Sequence, residues 1–155
     1  MRSISVAKGA QRMFRSVRRF CARPRWQKYM LWEAYVLLFL CRMAVLALPF
    51  KKIMTWSDTK GLLQLEDSEQ NPTIHWIQWS VTTASRYGWW NCMCLTQALA
   101  AKCMLKRRGC AGTLHLGATP PSQGKMKAHA WLRCGDTIVT GEKGYEKFAE
   151  MASFP

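Results

Sequence analysis

One stretch, residues 91–140, does most to restrict the fold. Asn91 is a good helix N-cap, and residues 92–108 are rich in Ala, Leu, Met, Lys and Gln. Lys106, Arg107 and Arg108 sit where the negative end of a helix dipole would lie, and Gly109 follows as a C-cap. About 17 residues at 1.5 Å each make a rod of roughly 25 Å. Three strand-like pieces come next, at 113–118, 126–133 and 137–140. Pro120, Pro121, Ser122 and Gly124 make a loop between the first two, and Gly135-Asp136 a tight hairpin between the last two. One helix followed by short strands joined this closely predicts an α+β fold with a small antiparallel sheet packed on the helix.

The rest of the chain supplies further helices. Residues 74–88 place Ile74, Ile77, Val81 and Ala84 at three- and four-residue steps, a helical stripe that Gly88 ends. Residues 144–153 read as a short final helix. Residues 29–50 are the most apolar stretch and predict a helix stopped by Pro49. Its ten Leu, Val and Phe residues offer about −5 kcal/mol of membrane insertion energy. Glu33 and Arg42 return a cost of similar size, so a helix buried in the protein, or lying on a membrane or partner, is favoured over a spanning one. Residues 57–73 are polar and acidic, a linker. The organisation is a basic arm (1–28), an apolar helix and acidic linker (29–73), and a folded core (74–155).

Charge sets the arm apart. Arg2, Lys8, Arg12, Arg15, Arg18, Arg19, Arg23, Arg25 and Lys28 precede the first acid, Glu33, in a chain of net charge +14. Such a block meets anionic partners or is simply solvated. No nucleic-acid-binding module is recognisable. Seven cysteines, an odd number with several in apolar runs, fit a reducing, cytoplasmic setting.

The chemistry centres on Cys94, in the first turn of the long helix. Unpaired backbone N–H groups and the positive dipole end favour a thiolate there and could receive an oxyanion. His129 lies mid-strand before Ala130-Trp131-Leu132, giving the layout of papain-like and transglutaminase-like enzymes: a cysteine at a helix start and a histidine on a later strand. If Gly135 and Asp136 are the two turn residues, His129 faces Glu142 across the hairpin, which favours Glu142 as the orienting carboxylate. Asp136 would stand at the turn tip, roughly 20 Å away. Duller roles compete. Cys94 can be a packing thiol, and His115 reads as a satisfied core histidine. Trp89-Trp90 can wall a cleft or fill the core. Cys92 with Cys94 matches no common structural zinc spacing.

The chain also resembles the lasso-peptide biosynthesis B2 proteins, related to the C-terminal domain of the microcin J25 processing protein. The matching pieces are Leu31-Trp32-Glu33-Ala34 leading to Leu48-Pro49-Phe50, Cys94 to Leu99 (CLTQAL), Arg107-Arg108-Gly109, Leu114-His115-Leu116-Gly117, and Ala128-His129-Ala130-Trp131-Leu132. They run in the family's order from about residue 29 to the end. The resemblance implies a cofactor-free leader peptidase that cuts a ribosomally made precursor between leader and core. Cys94 would be its nucleophile and His129 its general base. Glu142 falls near the family's acid, where aspartate is expected, and Arg133 stands where glutamate is common. With only a short basic arm in place of a leader-gripping module, the resemblance implies a separate leader-recognition protein. It also implies an asparagine-synthetase-like cyclase that closes the macrolactam. Acyl transfer to an amine is the alternative chemistry, and a non-enzymatic basic adaptor at a membrane the alternative role.

Overall fold

The computed structural model describes residues 23–59, 61–62, 72–88, 93–119 and 126–155. Pro24 opens the first helix, α1, Arg25–Ala47. Leu48 is extended, as a residue before proline prefers, and Pro49 then starts a second, shorter helix, α2, Phe50–Trp56. The first helix ends before Pro49, as the sequence predicted, and the short helix after it is an addition that the sequence reading did not contain. α3 runs Pro72–Tyr87 and buries the predicted stripe of Ile74, Ile77, Val81 and Ala84. α4, Cys94–Lys106, is shorter than predicted at both ends. Almost every residue from Thr96 to Leu105 is buried, so α4 is the axis of the molecule. Asn91 lies outside the described residues. So do Trp89, Trp90, Cys92, the Pro120–Gly124 loop, most of the acidic linker and the arm up to residue 22.

α4 closes as a Schellman motif. Gly109 takes φ +73, Cys110 N–H bonds Leu105 O at 3.0 Å, and Gly109 N–H bonds Lys106 O at 3.0 Å. Beside this end Glu33 of α1 takes Arg108 Nη2 at 2.8 Å and Arg107 Nε at 3.1 Å. Ala34, Leu37, Leu38 and Cys41 of α1 are buried in the shared core, so the helix belongs to the same body as the sheet. Cys41 shares a hydrogen bond with Cys103 of α4. That bond and burial hold the Cys41 thiol protonated, well above the usual range.

The sheet has four antiparallel strands in the order β3-β2-β1-β4. These are β1 Thr113–Ala118, β2 Ala128–Cys134, β3 Thr137–Thr140 and β4 Ala149–Phe154. β1–β3 match the predicted pieces within two residues. The predicted final helix is a correction. Only a 3-10 turn, Tyr145–Lys147, forms there, and the following residues become β4 against the free edge of β1. Ala149, Glu150 and Met151 favour helix locally, but pairing an open edge outweighs a propensity of tenths of a kcal/mol. Leu114, Ala130, Leu132 and Cys134 line the face that packs on α4, with Leu116 against them. Alternation leaves His115, Gly117, His129 and Trp131 on the other face.

Lys102 is fully buried in α4, and its Nζ donates to the carbonyls of Phe154 and Pro155, each at 2.8 Å. Burial pulls its ammonium down from 10.5 to about 8, partly opposed by the charge of Asp58. Between those two values the unfolded chain binds the proton more strongly than the folded one, so stability rises with pH through that window and levels off above it. Urea unfolding from pH ~7 to ~10.5 is expected to show the rise in the wild type and a flatter curve in Lys102→Met. Parallel curves for the two proteins would contradict this reading.

Candidate active site

Cys94 is the first residue of α4. Met93 caps it in extended geometry and supplies no side-chain bond. The first intrahelical bond runs from Gln97 N–H to Met93 O at 3.1 Å. The N–H groups of residues 94–96 therefore point beyond the helix end without helical partners, next to the thiol. Five cysteines are described and none of them forms a disulfide; Cys41, Cys103, Cys110 and Cys134 are buried, and Cys94 is the one among them that is half-exposed.

The tight return from α4 into β1 fixes the relation of helix and sheet. Leu105 and Leu132 both approach Gly112, so the Lys106 end of α4 lies at the Arg133 end of β2. His129 stands near the opposite, Ala128 end of β2, with its ring on the face turned away from α4. No hydrogen bond joins it to Cys94 in this structure. Such bonds commonly tighten only when substrate is bound.

His129 Nε2 lies 2.7 Å from the carbonyl oxygen of Gly141. A carbonyl only accepts, so Nε2 carries the proton and donates it. In the neutral ring Nδ1 is then left with the free lone pair, the atom a base needs. Phe148 and Trp131 hold the ring from the sides, at centroid distances of 5.0 and 6.2 Å. The Gly141 carbonyl can approach because residue 141 is glycine. Its φ is +80, and a Cβ would meet Ala130 O at 2.5 Å and Trp131 Cα at 2.8 Å. Sequence reasoning missed Gly141. Its one signal was a glycine directly after a strand.

The orienting carboxylate expected on His129 is not found there. A bulge at Leu132/Arg133 shifts the β2–β3 ladder by one residue, so Leu132 pairs with Thr140. Continued by two residues, that register sets Glu142 opposite Ala130 rather than His129. Glu142 is exposed and makes no hydrogen bond to the ring. Asp136 lies in the hairpin, with Oδ1 3.7 Å from Arg133 Nη2, at the far end of β2 from His129. His115 is half-buried on the sheet face away from α4. Its Nδ1 sits 2.9 Å from Glu150 Oε1, and its ring stacks on Trp131 at 5.6 Å. Its partner comes from β4, the strand that the sequence reading had made a helix.

A family model described as the transglutaminase-like superfamily matches residues 37–153, a span that takes in Cys94, His129, Gly141 and Glu142. No curated protein and no solved structure matches the chain significantly.

Proposed function

The chain belongs to the transglutaminase-like superfamily, and from that premise we propose that it is a cysteine peptidase that opens a peptide bond through Cys94. The observation that carries the reading is the position of this thiol. It is the one half-exposed cysteine among those described, and it heads a buried helix whose first N–H groups have no side-chain cap. Cys94 Sγ attacks the scissile carbonyl, and the free N–H groups of the first turn receive the oxyanion. His129 Nδ1 takes the thiol proton and returns it to the leaving amine, while Gly141 O keeps the ring in the required tautomer. Water then attacks the thioester and releases the new carboxylate.

The substrate in this reading is the leader–core junction of a lasso-peptide precursor, delivered by a separate leader-binding protein and passed on to a macrolactam-forming cyclase. Its support is the ordered set of short motifs, CLTQAL and AHAWL above all, that resemble the lasso B2 proteins. Processing in H2(18)O tests the chemistry. Hydrolysis places one heavy oxygen in the released leader carboxylate. A leader carrying no label, joined instead to an added amine, would replace the peptidase reading by acyl transfer.

A further inference from the structure

The outward side of α1 is as apolar as its inward side. Tyr29, Trp32, Val36, Phe39, Met43 and Leu46 follow one another at three- and four-residue steps, and all are exposed, Tyr29 at 71% and Trp32 at 67%. Trp26 and Leu40 are exposed beside them, widening the strip to an arc of about 160° at 100° per residue. Leu48, Phe50 and Trp56 carry it on past Pro49. That is broader than the narrow seam two helices share.

Charge selects what covers it. Residues 1–56 contain twelve basic residues, the nine up to Lys28 plus Arg42, Lys51 and Lys52, against one acid. That acid, Glu33, is held by both Arg107 and Arg108. Arg25 at one end of the strip and Lys51 and Lys52 at the other are exposed. Pairing with a second copy would set these like charges against one another, in a chain already at +14. Crossing a bilayer would strip Ala34, Leu38 and Cys41 from α3 and α4 and break the Glu33 pairs. We infer that α1 and the start of α2 lie in the plane of an anionic phospholipid surface. The apolar strip sinks among the acyl chains, Trp and Tyr sit at headgroup depth, and the flanking cations meet lipid phosphates. Arg42 Nη1 reaches Met93 Sδ at 3.2 Å, so this helix adjoins the residue that precedes Cys94, and processing would take place at the membrane surface.

Sedimentation of the full chain with vesicles tests this. Binding is expected to vesicles containing about 30% phosphatidylglycerol, at least ~10-fold weaker to pure phosphatidylcholine, and reduced by added salt. The double variants Trp32→Ser/Phe39→Ser and Lys51→Glu/Lys52→Glu, all at exposed positions, are each expected to weaken binding by about 10-fold or more. Circular dichroism and cleavage of precursor in solution should stay unchanged in both. Equal binding to both lipids would overturn the proposal, as would binding that neither variant weakens. A lipid-free dimer in sedimentation velocity that Trp32→Ser/Phe39→Ser dissociates would assign the face to a second copy instead.

Discussion

Cys94→Ala is expected to lower kcat/KM for leader removal by about 10⁴-fold or more, the scale on which thiol and serine hydrolases lose activity with their nucleophile. The protein should remain folded. Cys94 is half-buried at a helix end, and alanine removes one sulfur atom without disturbing the backbone bonds that begin at Gln97. The other described thiols provide the contrast. Cys41, Cys103 and Cys134 are buried, so alanine at any of them should cost about 1 kcal/mol of stability through lost packing and leave the chemistry intact. Urea unfolding and single-turnover cleavage on this set separate the two effects. A Cys94→Ala protein that cleaves at the wild-type rate would remove the thiol from the mechanism.

Gly141→Ala is expected to produce the largest stability loss of any change at the described glycines, about 3 kcal/mol or more. Two penalties combine there. At φ +80 an L side chain is strained, and its Cβ would stand 2.5 Å from Ala130 O and 2.8 Å from Trp131 Cα, backbone that cannot step aside. Gly144 separates the two terms. Its φ is +78, but a Cβ there meets nothing within 4 Å, so Gly144→Ala should cost about 1 kcal/mol from conformation alone. If the strand end yields instead of unfolding, the Gly141 carbonyl moves off His129 Nε2, and cleavage falls in a protein that still melts cooperatively. Equal small losses at both glycines, with full activity at Gly141→Ala, would contradict the orienting role of that carbonyl.

Local signals carried much of the architecture. Ile74, Ile77, Val81 and Ala84 announced α3 because a helix buries residues three and four apart. Gly109 announced the end of α4 because only a positive φ closes it. Gly135-Asp136 announced the hairpin, and the strands around it followed. What escaped reading depended on distant pairing. β4 exists because β1 has an edge to fill, and nothing within residues 149–154 records that edge. The bulge at Leu132/Arg133 shifts the ladder by one residue, which was enough to move Glu142 from its expected place opposite His129. The group bonded to the His129 ring is a main-chain carbonyl, and a carbonyl leaves no mark in the sequence beyond the glycine that lets it approach. Cys94 and His129 were legible as candidates, one from its helix start and the other from its strand. The tautomer of His129 is set by the approach of Gly141 O, a contact between residues twelve apart.

Peptide cleavage through Cys94 requires a thioester between its Sγ and the leader carboxyl. Acid-quenched intact-mass measurement during precursor cleavage detects it. A transient species heavier than the protein by the mass of the leader less one water is expected, with the adduct mapping to Cys94 and absent in Cys94→Ala. Cleavage that proceeds with no adduct at any time point, and at the same rate in Cys94→Ala, would contradict cleavage through this thiol.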